Sequence, residues 1–294
     1  MKKFNYFITF DLDYVNYTSG TNDSAVNEFQ IVEDKILPYL EKENIQATWF
    51  IRIDKKIEHD FGEPDFLFKK HSGTISKLKL LGHKIGWHPH NYVLKDGKWI
   101  QNSNEQEVLE ELNYLLPIVK KYDLDIVRVG WGYQTNKTMK FFNVNGFKID
   151  SSCMARPKYK WDMTIKDWEL STNEIYHPSK NDYRIESDDN LDILEVPMTT
   201  IDMPVSTDSE KVKRYVNLSF YNEIMKEPLI KWIASNNYIV TITHPYEIQE
   251  SDTSHHIISF DIKEFIKNID FIKREALKNN KVVEFLSIDR LVNG

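Results

Sequence analysis

The chain has 294 residues, 41% hydrophobic and 13% aromatic, which is enough apolar material for a sizeable core and excludes a disordered segment. Its formal net charge of −7, with acidic and basic residues interspersed, argues against nucleic acid or an anionic membrane as the main partner. Cys153 is the only cysteine, so no intrachain disulfide can form. No apolar run approaches the roughly 18 residues of a membrane span. The apolar run behind the basic start is too short for a signal peptide, so a cytoplasmic protein is expected.

The first element is Phe7-Ile8-Thr9-Phe10-Asp11-Leu12-Asp13, a buried-strand composition that ends in two carboxylates. Residues two apart on a strand share a face, so Asp11 and Asp13 point into one space and need a cation, an arginine or a shared proton beside them. Taken alone, the stretch reads equally well as a strand running into a turn. A polar loop over Asn16–Ser24 follows, then a helix with Phe29, Val32, Ile36 and Leu40 at helical spacing and Pro38 inside it. Gln46–Ile53 reads as a second strand, Asp65–Leu81 as helix with Gly82 as its C-cap, and Lys84–Trp87 as a third strand leading into His88-Pro89-His90.

Asn104–Tyr122 is the clearest helix: Asn104 and Glu107 have capping-box spacing, and Val108, Leu112, Leu115 and Val119 form one stripe. Asp125–Val129 is the fourth strand, ending at Gly130-Trp131-Gly132. Asn136–Val144 is a short helix, and Phe147–Asp150 the fifth strand. From Ser151 to Leu191 periodicity is poor, so a long loop excursion carrying Trp161, Trp168, Tyr176, His177 and Tyr183 is expected. Ile193–Pro197 is the sixth strand, Phe220–Ser235 a helix, and Tyr238–Ile242 the seventh strand, ending at His244. Asp261 with Glu264 begins a last helix, and Val282–Leu286 is a final strand. No linker-like composition shift interrupts this order, so residues 1–294 are read as one α/β domain, a distorted parallel (β/α) barrel of about seven strands.

The polar outliers fall at equivalent places. Asp11 and Asp13 end strand one, His88 and His90 strand three, Arg128 and Trp131 strand four, Asp150 strand five and His244 strand seven. In parallel α/β proteins these strand ends share a face, and sites are built there. Asp13, His88 and His90 supply one oxygen and two imidazole nitrogens, which suits zinc or another divalent metal with positions left open. His90 follows His88 across a proline; in an extended segment both reach one face, and in a loop His90 is solvated.

These residues carry a resemblance to the polysaccharide deacetylases, the NodB-homology or carbohydrate esterase family 4 enzymes. Thr9-Phe10-Asp11-Leu12-Asp13 is similar to the family's first motif, Gly82 through His88 to the lead-in of its second, and Arg128-Val129-Gly130-Trp131 to its third. Gly146 through Ser152 resembles a segment common in divergent members, and Thr243-His244-Pro245 the fifth motif. The order matches from about Phe4 to Leu291. Two positions depart from the pattern. Tyr92 stands where the family's second motif has its second histidine, with His90 closer to His88 in its place, and Gly130 replaces a usual proline.

The resemblance implies a metal-dependent hydrolase that removes an acetyl or other acyl group from an N-acetylated amino sugar. Asp13, His88 and His90 would hold the metal, Asp11 would be the base, and His244 the acid. Arg128 would pair with Asp11 or Asp150, while Trp87, Trp131 and Tyr92 would meet the substrate. Hydrolysis of a non-sugar amide or formamide on the same fold, and carbohydrate binding on a degenerate deacetylase scaffold, are the alternatives.

Overall fold

The structure is a computed structural model, and it describes residues 1–13, 28–159, 166–203, 205–208, 212–249 and 255–293. The loop expected over Asn16–Ser24 and the residue Trp161 lie outside the described residues. Among them the strands are β1 (Lys2–Leu12), β2 (Ala47–Ile51), β3 (Lys84–Trp87), β4 (Tyr92–Lys95), β5 (Lys98–Gln101), β6 (Ile126–Val127), β7 (Ile149–Asp150), β8 (Leu194–Glu195), β9 (Thr200–Asp202), β10 (Lys213–Tyr215), β11 (Tyr238–Thr243) and β12 (Lys281–Phe285). The main sheet has the order β11-β1-β2-β3-β6-β7-β8, with β12 also pairing β1. The pairs β1–β11, β1–β12, β3–β6, β6–β7 and β7–β8 are all parallel. An α/β fold with about seven parallel strands is therefore what the periodicity predicts and what the chain forms.

The chain divides into two compact units, and the division falls inside β2. The first comprises Met1–Trp49, Leu78–Lys84 and Thr199–Ile288. Its centre is β1, whose Phe4, Tyr6, Phe7, Ile8 and Phe10 are fully buried. Burial on both faces is the mark of an inner parallel strand, so after the exposed Lys2 and Lys3, β1 shows no polar alternation before Thr9 apart from Asn5. Phe10 stacks on Trp49 with centroids 4.1 Å apart. The helix Ile262–Lys278 is capped by Asp261, whose carboxylate accepts the Lys263 N–H. It buries Phe265, Ile269, Ile272 and Ala276. Glu264 does not complete a capping box; it accepts the backbone N–H of Asn222 instead.

The second unit comprises Phe50–Lys77, Ile85–Met198 and Asp289–Gly294. The helix Glu105–Lys121 starts where the capping pattern places it, with the Asn104 side chain accepting from Gln106 and Glu107. The stripe Val108, Leu112, Leu115 and Val119 is buried, and acidic residues open the helix while lysines close it, complementing its dipole. The helix expected over Asp65–Leu81 is two, Phe66–Lys70 and Ser72–Leu80, broken at His71. The excursion from Ser151 to Leu191 forms only isolated bridges among its described residues. A hairpin of β4 and β5 turns at Asp96-Gly97, both at positive φ. Asp-Gly between β-prone residues is a strong hairpin signal, and it marks this turn in the sequence as well.

Candidate active site

In the first unit the site is built at the C-terminal ends of two adjacent strands. The register pairs Phe10 with Thr243, so Asp11 and His244 emerge side by side. Asp11 is buried, and Asp13 lies just past the strand, its N–H donating to the Glu28 carboxylate at 3.2 Å. Glu28 is itself buried. His244 Nε2 lies 3.5 Å from an Asp13 oxygen, and its Nδ1 lies 3.2 Å from Glu247 Oε1. Glu247 is firmly held: its other oxygen accepts from Asn217 (2.7 Å), Ser219 (2.9 Å) and the His244 backbone N–H (3.1 Å).

Burial disfavours a charged imidazole, but the Glu247 carboxylate, its hydrogen bond, and the charges of Asp13 and Asp11 outweigh that, pushing His244 up to about 10. Glu247 in turn is held below its ordinary value: burial opposes its charge, and His244, Asn217 and the backbone overcome it. Glu247 thus fixes a proton on Nδ1 and aims Nε2 past Asp13. Its place one helical turn after His244 is the sequence signal for this role.

In the second unit, β3 delivers His88 and His90. The His88 N–H donates to Ile51 O, anchoring the segment as it leaves the sheet. His88 Nδ1 lies 2.6 Å from Arg128 O. A carbonyl only accepts, so Nδ1 carries the proton and Nε2 keeps its lone pair. That lone pair faces His90 Nε2 at 3.1 Å. Two imidazole nitrogens this close have a proton between them or share a cation; a tetrahedral ion with ordinary bonds to both would space them about 3.3–3.4 Å apart, slightly wider than this hydrogen-bond distance. Pro89 does not put His90 into solvent, since His90 is as buried as His88.

Behind His90, Tyr92 stacks face to face at 5.1 Å, and Trp131 meets it edge-on at 5.5 Å. Arg52 lies over the Tyr92 ring and pairs with the buried Asp54, whose charge acts on His90. The departure at Gly130 is explained by the departure at His90. A Cβ on Gly130 would come within 2.5 Å of the His90 ring, and the Gly130 N–H donates to Pro89 O at 2.8 Å. A proline there would lose that bond and strike the ring. Trp131 follows at φ 58, a conformation that costs a bulky residue free energy. Its indole is 38% exposed.

No family model matches the sequence, and no curated protein matches it. Among solved structures, the chain is similar over its whole length, at 14% identity and a TM-score of 0.54, to a protein from Mycobacterium smegmatis assigned as a polysaccharide deacetylase, covering 90% of it. The fold is that of a polysaccharide deacetylase. A second match covers 92% of this chain and 90% of a protein assigned as a polysaccharide deacetylase involved in O-antigen biosynthesis in Bordetella bronchiseptica, at 15% identity and a TM-score of 0.41. A third is 4-alpha-glucanotransferase from Thermococcus litoralis, with all of this chain covering 40% of that one at 10% identity and a TM-score of 0.48.

Two residues expected at a deacetylase site sit in the interior instead. Trp87 has no exposed surface; its indole N–H donates to Ile53 O, and its ring packs against Phe142 and Phe147. It is core, so it offers a sugar nothing to stack on. Asp150 is also fully buried, accepting from Gln134 at 2.7 Å and Ser152 at 2.5 Å. Its neighbour across the β7–β8 pair is Glu195, another buried acid. Burial raises the pKa of both. Each is thereby biased toward its protonated form, Glu195 also by the neighbouring Asp150 charge. Arg128 is buried beside them, with Nε on Ser151 O and a terminal nitrogen on Ser151 Oγ, both at 2.8 Å. Glu28, Asp54 and Glu195 were not legible as site or support residues, because each finds its partners through tertiary packing.

Proposed function

We propose that the protein is a metal-dependent hydrolase removing an acetyl or similar acyl group from the nitrogen of an amino sugar. The observation that carries the reading is the His88–His90 pair, with Nδ1 of His88 pinned on a carbonyl and the two Nε2 atoms 3.1 Å apart. In this reading Asp13 supplies the oxygen ligand beside the two imidazoles. Two imidazoles and one carboxylate suit zinc, with open positions for water and substrate. When bound, such an ion supplies Lewis acidity, polarising an acyl carbonyl and lowering the pKa of water.

The chain's own residues do the rest. Asp11 takes the proton of the attacking water, and Asp13 remains a ligand, so the two carboxylates divide the work. His244 delivers a proton from Nε2 to the departing nitrogen, while Glu247 holds Nδ1 protonated and the ring in line. Tyr92 backs His90, and Trp131 offers an exposed indole to a sugar ring. The fold shared with a protein assigned as a polysaccharide deacetylase supports the substrate class.

The test is Asp11→Ala, assayed for acetate release from N-acetylated saccharides and for bound zinc. We expect hydrolysis to fall about 10²–10⁴-fold with zinc content unchanged. A variant as active as the parent sinks the reading. Release of acyl groups from small cyclic amides, with none from acetylated sugars, would instead favour the non-sugar amide reaction.

A further inference from the structure

A cavity of about 320 Å³ lies entirely within the second unit. That is at the lower end of the range for small-molecule sites. The β4–β5 hairpin forms one wall, presenting Tyr92 and Trp99; the first turns of the helix Glu105–Lys121 form the other, presenting Glu107, Glu110 and Glu111. Lys55 is the one cation in the lining.

Glu107 and Glu110 have ordinary roles at a helix start. Glu107 accepts from the side chains of Asn102 and Asn104, and Glu110 accepts from Gln106. Glu111 is different. It occupies the buried stripe between Val108 and Leu112, where an apolar side chain would pack, and it is 2% exposed. The contact its carboxylate makes is with the backbone N–H of Lys55, a long 3.3 Å. Burial, and then the charge of Asp54, push it up to about 7. Asp54 is already neutralised by Arg52. A carboxyl buried on a cavity wall without a salt-bridge partner is held partly protonated near neutral pH, with Lys55 the cation whose charge acts on it, and it gains its full charge when a further cation binds against it.

The occupant is set by the remaining walls. The volume calls for a molecule and not a bare ion, and Trp99 gives it an aromatic surface; Tyr92 lines the wall, but its ring is already stacked on His90 and covered by Arg52. One wall residue of this cavity therefore touches the histidine pair. We propose that this cavity binds a sugar residue carrying a free ammonium group, its ring on Trp99 and its nitrogen on Glu111. This rests on the amino-sugar reading above: hydrolysis of an N-acyl group leaves such an ammonium, so the protein would recognise a glycan already partly deacetylated and act on the residue beside it.

The experiment is calorimetric titration at neutral pH of the β-1,4-linked glucosamine disaccharide and of its fully N-acetylated counterpart, into the parent protein, Asp11→Ala, Glu111→Gln and Trp99→Ala. The parent and Asp11→Ala should bind the free amine about tenfold more tightly than the acetylated sugar. Glu111→Gln should erase that preference, and Trp99→Ala should weaken both ligands. Because Glu111 is buried, Glu110→Gln on the exposed rim serves as a second variant, with a two- to fivefold loss expected for the amine alone, about the size of a screened charge. Equal affinity for the two sugars, or a preference that survives in every glutamate variant, overturns the proposal. The two readings separate cleanly: a retained amine preference with no acyl release refutes the hydrolase and leaves the cavity standing, and acyl release without the preference does the reverse.

Discussion

Glu247 and Glu195 are the same residue type, both buried, each beside a partner that titrates. Glu247 faces His244 and three hydrogen-bond donors, and it stays charged. Glu195 faces Asp150, and burial with a second carboxyl keeps its proton on. Burial alone therefore does not decide what a carboxylate does; the partner does. The first arrangement can aim and charge an imidazole. The second sits between the paired strands β7 and β8, and the Cys153 N–H donates to Glu195. A sequence shows both as a glutamate near a strand end, and only the packing separates them.

The largest test of that contrast is activity. Glu247→Gln should cut acyl release about 10²–10⁴-fold, as loss of a proton donor's alignment does, while Glu195→Gln should leave it within a few-fold, since an amide replaces a group that is already neutral. Equal losses in steady-state assays would break the distinction. A smaller effect probes how tightly the working histidines are fitted. Gly130→Ala drives a methyl group into the His90 ring, and zinc affinity by competitive chelation should fall about 10–100-fold, the usual cost of disturbing a ligand's support. Unchanged affinity would mean that His90 is not a ligand.

The smallest effect is on stability against pH, followed by denaturant melts. Glu247 is depressed on folding, so its contribution is present above the unfolded value of 4.5 and is lost as pH falls through the folded one. Glu195 is raised, so its contribution is complete below 4.5 and is lost as pH rises through the folded value. Glu247→Gln should flatten the acid limb of the profile and Glu195→Gln the alkaline limb. Slopes altered on the same side would contradict the assignment.

Much of this fold is legible along the chain because it is written in local chemistry. The Asn104 cap, the stripe from Val108 to Val119 and the Asp261 cap act within a few residues, and the strands of the main sheet are β-prone runs, whereas β4, β5, β9 and β10 are not among the expected strands. The strand-end rule places Asp11, Asp13, His88, His90, Arg128 and His244 at the ends of strands, and the structure has them there. What it does not separate is a polar residue leaving the sheet from one buried in it, so Asp150 and Trp87 look like site residues from position alone. Glu111 is visible as a charge on an apolar stripe, and Asp96-Gly97 as a hairpin turn. The cavity that joins them depends on the hairpin lying against a helix, which no local pattern states.

The central claim is that Asp13, His88 and His90 hold one metal ion. The most direct measurement is zinc content by mass spectrometry after dialysis, on the parent protein and on Asp13→Ala, His88→Ala, His90→Ala and Tyr92→Phe. The account expects close to one zinc per chain in the parent and in Tyr92→Phe, and little in the other three. Zinc retained without His90 and lost with Tyr92→Phe, or a parent that binds none, would contradict it.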